Sequence, residues 1–272
     1  METMPVDGLT LYFDADEREA AELVCRACEK SVRLIHDCWN LDTPKDLRVY
    51  VLTSAWLRST FHSAPWGWRI LMGAALPFWY PRARQLWQVA GGWQQQYGQR
   101  QTVGIKTPRL LSQGDSSMDN RIFIREGDVG SKVQHITCHE LVHAYTAHLK
   151  LPVWLHEGLA MLTVDRFFER PTIKSETIEA LHRSPGDTNG ARKLDLKDPD
   201  AVVYLYVRGY WLTRYIEETQ PELLKRLLTR RYSHDELEGK IAAACGMERQ
   251  RFWREMDRTV AAHFKQKKPP TH

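Results

Sequence analysis

Two histidines and a glutamate at helical spacing are the residues of this chain that most clearly indicate a chemical function. His139, Glu140 and His143 stand at positions i, i+1 and i+4. On an α-helix, side chains four positions apart lie on one face, so both imidazoles can reach a single metal ion. Zinc commonly takes two histidines and one carboxylate, and this set leaves a fourth position for water. The spacing therefore predicts one zinc ion (Zn2+), with Glu140 placed to take a proton from the attacking water.

A third ligand must come from another element, and Glu157 is the strongest candidate. Apolar residues recur at helical spacing around the two histidines, and Ser131 with Gln134 predicts a capping box at the start of that helix. Pro152 is well placed near the start of a second helix, which carries Glu157 in its first turns. A tight turn between these helices can bring Glu157 over the histidines. The alternative is a pair of ordinary surface histidines, with Glu157 a first-turn acid favoured by the helix dipole.

The sequence resembles a known family over this region. His139-Glu140-x-x-His143, followed by Pro152-x-Trp154-Leu155-x-Glu157-Gly158-Leu159-Ala160, is similar to the gluzincin branch of the zincin metallopeptidases, the peptidase MA-like group. The likeness is tight over residues 131–165 and looser from about residue 5 to 235. It implies that His139, His143 and Glu157 bind zinc, that Glu140 is the general base, and that the protein hydrolyses peptide bonds.

The resemblance also implies a tyrosine that stabilises the oxyanion. In many family members this tyrosine lies on a later helix, and the segment from Tyr204 to Tyr210 resembles that helix. Tyr206 is the expected match, with Tyr204 and Tyr210 as competitors. The aminopeptidase signature Gly-x-Met-Glu-Asn is absent from the sequence, which argues against that mode of free N-terminus recognition. The choice between endopeptidase and exopeptidase stays open.

The expected fold class is α+β, with a zincin-like arrangement of elements. A small N-terminal mixed sheet with helices and the zinc helices form a lobe over residues 1–170, and a Trp-rich insertion occupies about 56–98. Residues 171–264 are expected to form a helical C-terminal lobe. The basic tail 265–272 is expected to be disordered.

The sequence pattern predicts individual strands, and at Leu47–Leu52 the residues alternate and then become apolar. Strands are expected at Leu9–Phe13, Leu47–Leu52, Thr102–Leu111 and Arg121–Arg125, with a helix over 17–39. In the resembled family the strand before the zinc helix is a sheet edge that lines the cleft. Arg121–Arg125 and the preceding strand are therefore expected to accept an extended peptide. Beyond Arg170, helices are predicted at 175–183, 201–219, 221–231, 234–244 and 247–263, and Ser184–Asp200 is predicted to be a loop between the lobes.

Charge and cysteine content limit the classes of partner. The chain has 38 basic and 34 acidic residues, a net charge of +4, which is too balanced to indicate a nucleic-acid partner. Five cysteines cannot pair completely. Cys25 and Cys28 lie on the predicted helix 17–39, so we expect small buried thiols rather than a redox or zinc pair, and Cys138 is assigned to packing. This pattern suits a reducing compartment.

The expected location is cytoplasmic. The first residues are polar and lack the apolar core of a signal peptide, and no run of 18 or more apolar residues exists. The nearest approach is Trp66–Tyr80, which contains Arg69 and is interrupted by Gly73 and Pro77. An apolar hairpin packed against the catalytic lobe or lining its cleft is the preferred interpretation. Peripheral attachment to a membrane surface through residues 66–84 is the alternative.

The leading hypothesis is a metalloendopeptidase or oligopeptidase acting on an unfolded or extended peptide. The competing hypothesis is a zinc-binding or regulatory protein that has the same scaffold and performs no hydrolysis. The sequence does not indicate the oligomeric state. Asp165 is a weak candidate for orienting a metal-binding imidazole through a hydrogen bond. His135 and His156 lie close to the motif and are expected not to be ligands.

Overall fold

The computed structural model describes residues 1–113, 119–125, 127–183 and 198–266. Its fold is α+β, as predicted: one five-stranded mixed sheet is combined with helices that dominate the second half of the chain. The greater part of the predicted tail 265–272 and of the predicted loop Ser184–Asp200 lies outside the described residues.

The sheet has the strand order β1-β2-β3-β5-β4. The strands are β1 Glu2–Val6, β2 Leu9–Phe13, β3 Asp46–Leu52, β4 Gly92–Tyr97 and β5 Arg100–Lys106. Parallel pairing joins β2 to β3 and β3 to β5, whereas β1 with β2 and β4 with β5 form antiparallel hairpins. The first hairpin turns at Asp7-Gly8, where both residues have positive φ, the combination that a two-residue type I′ turn requires.

Thirteen helices occur among the described residues. They are α1 Arg18–Trp39, α2 Trp56–Ser63, α3 Trp66–Ala74, α4 Leu76–Val89, α5 Pro108–Ser112, α6 Asp119–Ile122, α7 Val129–Thr146, α8 Val153–Phe168, α9 Glu179–Arg183, α10 Pro199–Thr219, α11 Pro221–Leu227, α12 His234–Ala244 and α13 Phe252–Gln266. The sequence predicted α1, α10 and α12 to within two residues at each end. None of the described helices has the length and apolar character needed to cross a bilayer.

The chain divides into two compact units. The first comprises Met1–Ser117 and Arg125–Tyr145, and the second comprises Met118–Ile124 and Thr146–His272. The sheet belongs to the first unit, where β3 and β5 bury their apolar side chains and α1 buries one face rich in alanine. The second unit is helical, and its core includes a buried ion pair in which Arg208 Nη2 lies 2.6 Å from Asp257 Oδ2.

Two of the predicted strands are wrong in part. The strand expected at Thr102–Leu111 ends at Lys106, because Pro108 starts the short helix α5 and has no N–H for a ladder bond. The strand expected at Arg121–Arg125 begins inside helix α6, and only Phe123 forms a β-bridge, to Ile173.

The expected peptide shelf is therefore wrong as well. Strand β5 is interior, and the edge strand next to it is β4, which sequence analysis placed inside the Trp-rich insertion. Strand β1, which was not predicted either, forms the opposite edge of the sheet.

Candidate metal centre

Helix α7 carries both histidines and is capped by Asp128. The Asp128 carboxylate accepts hydrogen bonds from the backbone N–H and the hydroxyl of Ser131, both at 2.8 Å. These bonds favour the ionised form and lower the pKa of Asp128. The capping box expected at Ser131 is therefore wrong, since Ser131 donates to the cap and lies within the helix. Further along, the buried Tyr145 fixes α7 through a 2.8 Å hydrogen bond with the Thr43 hydroxyl.

The two histidines of α7 converge. Nε2 of His139 and Nε2 of His143 lie 3.0 Å apart, and the ring planes are nearly perpendicular, at 88°. Two nitrogens that share one tetrahedral zinc ion at their usual bond lengths would be about 3.3–3.4 Å apart. His143 is only 7% exposed, so few water molecules can reach its ring. The spacing and orientation of the two nitrogens fit a shared metal ion.

Glu157 lies in the second turn of α8. The connection from α7 ends at Lys150, which has a left-handed φ of 52°, and Pro152 then occupies the N-cap position of α8. Glu157 is 8% exposed, which is unusual for a carboxylate that does not bind a cation.

The three candidate ligands lie together. One ring nitrogen from each of His139 and His143 and one carboxylate oxygen of Glu157 are all within 4.8 Å of one another. Two imidazoles with one carboxylate is a donor set that zinc accepts, with a fourth position left for water or substrate. Among the residues that the structure describes, neither His135 nor His156 belongs to this cluster.

Helix α8 is held in place by a glycine contact with α10. A Cβ atom built on Gly158 would collide with the carbonyl oxygen of Gly209 and with the Thr213 hydroxyl. A Cβ atom on Gly209 would collide with the carbonyl oxygen of Trp154. The helix backbones therefore approach each other at the residue that follows Glu157, which fixes the position of the turn that carries this carboxylate.

Glu140 is half-buried and stands beside the sheet. Its Cγ atom would lie 2.9 Å from a Cβ atom at Gly92, the first residue of β4. The neighbouring Gly91 packs in the same way against Ile136, one turn earlier on α7. The edge strand therefore runs close to the candidate general base. The sequence did not lead us to expect this contact. The consecutive glycines Gly91 and Gly92 could have indicated it, because glycines in a strand permit close approach of another element to the backbone.

Two of the three candidate tyrosines donate to carboxylates within their own unit. The Tyr204 hydroxyl donates to Asp257 at 3.4 Å, and the Tyr210 hydroxyl donates to Asp165 at 2.6 Å. Burial and the neighbouring Asp165 carboxylate raise the pKa of Tyr210, which keeps its hydroxyl protonated at neutral pH. Tyr206 is half-buried and lies one turn before Gly209 on α10. Its expected role at the oxyanion stays a prediction.

Asp165 holds the end of α8. Its carboxylate accepts from the backbone N–H of Thr172 at 2.7 Å and from the Thr172 hydroxyl at 2.6 Å, in addition to the bond from Tyr210. These contacts connect the last turn of α8 to the following segment and to α10. They give Asp165 a structural role in place of the suggested contact with an imidazole.

All five cysteines are free thiols. Cys28 and Cys138 are buried, and burial raises the pKa of Cys138 to about 12 and raises that of Cys28 as well. Both thiols therefore stay protonated at neutral pH, as expected of cysteines that serve packing.

No family model matches this chain, and no curated protein matches it.

Proposed function

We propose that this protein is a zinc-dependent metallopeptidase of the gluzincin type. His139, His143 and Glu157 hold one zinc ion, and Glu140 is the general base. The observation that carries the proposal is the convergence of the three ligand atoms to within 4.8 Å of one another. Two imidazole nitrogens from one helix and one carboxylate oxygen from the next form a donor set that suits a catalytic zinc site.

Bound zinc would polarise the scissile carbonyl and lower the pKa of a water molecule beside it. Glu140 would accept a proton from that water as the oxygen attacks the carbonyl carbon. The same carboxyl would then deliver the proton to the departing amine nitrogen, so that the peptide bond breaks with no net change at Glu140. Proton transfer of this kind contributes about 10²–10⁴-fold to rate.

An extended peptide is the substrate that best fits the neighbourhood of Glu140. Strand β4 pairs with β5 on one side, and no described strand pairs with its other side. A substrate in extended conformation can add to such an edge through main-chain hydrogen bonds. Since the first residue of β4 lies against Glu140, a peptide bound along this edge would pass near the general base.

Tyr206 is proposed as the hydroxyl that stabilises the developing oxyanion. This assignment rests on the resemblance of the segment from Tyr204 to Tyr210 to the helix that carries this tyrosine in gluzincins. A single donor at an oxyanion contributes on the order of 10²–10³-fold to rate.

The test is cleavage of a mixed peptide library by the full chain, read by mass spectrometry with and without a chelator. We expect cleavage that the chelator abolishes and that added zinc restores. Glu140→Gln should retain zinc and lose nearly all turnover, whereas the matched exposed variant Glu19→Gln should cleave as the wild type does. Equal activity of Glu140→Gln would contradict the proposed mechanism. Zinc binding without any cleavage would instead favour a binding or regulatory protein.

A further inference from the structure

Helices α3 and α4 expose an unusual number of large apolar side chains. No residue of either helix is buried. Trp66 is 76% exposed and Phe78 is 86% exposed, although burying such a side chain is favourable by about 1.5–3 kcal/mol in general. The exposed large apolar residues in these helices are Trp66, Trp68, Ile70, Leu71, Phe78, Leu86 and Val89. A concentration of this kind marks an interaction surface, whereas single exposed apolar residues do not.

Other side chains of α3 and α4 pack within the first unit and hold these two helices, the α3–α4 hairpin, in place. Trp56 of α2 stacks on Trp87 of α4 with ring centroids 5.3 Å apart. The Trp79 indole N–H donates to the Met72 carbonyl at 2.9 Å, which joins α4 to α3. The hairpin is thus fixed by one set of aromatic residues while another set faces outward.

The sequence segment that contains α3 and α4 has charged residues of one sign, and three of its arginines, Arg48, Arg58 and Arg100, pair with acids outside the segment. The segment 47–114 holds eight of the chain's 38 basic residues and none of its 34 acidic residues. Arg82 and Arg84 of α4 are exposed and form no ion pair within the described part of the chain. Arg69 of α3 donates to the carbonyls of His62 and Ala64. The outward surface therefore combines aromatic and aliphatic side chains with uncompensated positive charge.

We propose that α3 and α4 dock peripherally on an anionic lipid bilayer. Tryptophans favour the boundary between headgroups and acyl chains, and arginines near the surface are attracted by acidic lipids. Helices of 9 and 14 residues are about 14 and 21 Å long, too short to cross a hydrocarbon core of about 30 Å. They would lie in the interface plane, with the apolar side chains directed into the bilayer.

A second copy of the chain is a poorer occupant of this surface. In a two-fold symmetric contact the same patch faces itself, so Arg82 and Arg84 would approach their own copies. With no acidic residue in the segment 47–114, the patch cannot supply the opposite charge. An anionic bilayer complements both properties of the surface. Its headgroups offer negative charge to the arginines, and its interior accepts the apolar side chains.

The proposed docking has a consequence that rests on the proposed function. Helix α4 ends at Val89, and β4 begins three residues later at Gly92, against Glu140. Docking would bring the edge strand near the membrane surface and would favour peptide segments close to the bilayer as substrates.

The test is co-sedimentation of the full chain with vesicles of phosphatidylcholine, with and without about 30 mol% phosphatidylserine. We expect binding to the anionic vesicles that weakens as salt is raised from about 0.1 M to 0.5 M. Trp66→Ser with Phe78→Ser should weaken binding at least tenfold, whereas Ile124→Ser, an exposed apolar residue elsewhere, should have no effect. Arg82→Glu with Arg84→Glu should weaken it by about fivefold or more per arginine. The matched charge change on α1, Arg26→Glu with Arg33→Glu, should weaken it far less.

Circular dichroism melting curves establish that each variant is folded. Equal vesicle binding by the wild type and the hairpin variants would overturn the proposal. It would also be overturned if the wild type bound no vesicles and the hairpin variants turned a dimer into a monomer in sedimentation velocity. His139→Ala should bind vesicles as the wild type does, so failure of the metal site and failure of membrane docking give different results.

Discussion

A Cβ atom at Gly92 would lie 2.9 Å from the Cγ atom of Glu140, so the edge strand and the candidate general base are in direct contact. The same Cβ atom would lie 2.9 Å from the Gly104 carbonyl oxygen and from the Cγ2 atom of Ile136. Position 92 is therefore enclosed between helix α7 and the neighbouring strand β5. Only glycine fits there without a shift of the strand or of helix α7.

Gly92→Ala should therefore reduce turnover while the protein keeps its zinc. The added methyl group must displace Glu140 or the strand, and a misplacement of about 1 Å at a reacting group can cost about 10²-fold in rate. Steady-state kinetics on a cleaved peptide, together with elemental analysis, measure the two effects separately. Gly127→Ala is the matched control, because a Cβ atom there has no neighbour within 4 Å. Unchanged kcat in Gly92→Ala would refute the importance of this contact.

Tyr206→Phe should lower kcat by about 10²-fold, because it removes a hydroxyl proposed to act at the oxyanion. Tyr204→Phe removes a hydroxyl that donates to Asp257 and should chiefly lower stability. Kinetics and melting temperatures of the two variants are compared side by side. If Tyr204→Phe loses turnover and Tyr206→Phe does not, the oxyanion role is assigned to the wrong tyrosine.

Gly209→Ala should destabilise the second unit. Its Cβ atom would collide with the Trp154 carbonyl, and overpacking a tight contact costs about 1–3 kcal/mol. Gly239→Ala on α12 is the control, since its nearest neighbours lie at 3.7 Å on the flexible Arg249 side chain. Alanine should stabilise that helix position by about 0.5–1 kcal/mol. Urea denaturation gives both values, and equal free energies of unfolding for the two variants would be inconsistent with the helix contact described.

Local patterns in the sequence were enough to predict much of this architecture. Strands Leu9–Phe13 and Leu47–Leu52 follow from alternation of apolar residues, and α1 follows from apolar residues at helical intervals. These signals come from neighbouring residues, so a single sequence contains them in full. The same holds for His139 and His143, whose approach to each other needs only one helical turn.

Features that depend on distant residues were missed. Strand β4 has the sequence Gly-Trp-Gln-Gln-Gln-Tyr, whose glutamines do not favour a strand, and its conformation depends on pairing with β5. In the opposite case, Ile122-Phe-Ile124 is a β-branched and aromatic run typical of a strand, yet Ile122 ends helix α6 and Phe123 forms an isolated bridge to Ile173. The position of Glu157 relative to the histidines could be expected from the family resemblance and a tight turn, and it could not be derived from periodicity alone.

Lys106→Met should change how the free energy of unfolding depends on pH. Lys106 is buried, its ammonium group donates to the Trp87 carbonyl, and it lies 4.5 Å from the Trp87 ring centroid. Burial, and next the charge of Lys132, lowers its pKa from 10.5 to about 8. Below about pH 8 the folded protein carries the cost of a buried charge. As pH rises from about 8 to 10.5, the unfolded chain binds more protons than the folded one, so folding gains stability.

The wild type should therefore gain stability relative to Lys106→Met between about pH 7 and pH 10. Urea denaturation at several pH values measures this difference directly, with the exposed Lys45→Met as the control substitution. A difference between the wild type and Lys106→Met that stays constant with pH would exclude the proposed cost of burial.

The most direct test of the central claim is the zinc content of the purified full chain and its variants, measured by elemental analysis after dialysis. The wild type and His148→Ala, an exposed histidine outside the cluster, should each hold one zinc ion per chain. His139→Ala and Glu157→Ala should lose nearly all of it while remaining folded by circular dichroism. Full zinc occupancy in folded Glu157→Ala would contradict a site built from His139, His143 and Glu157.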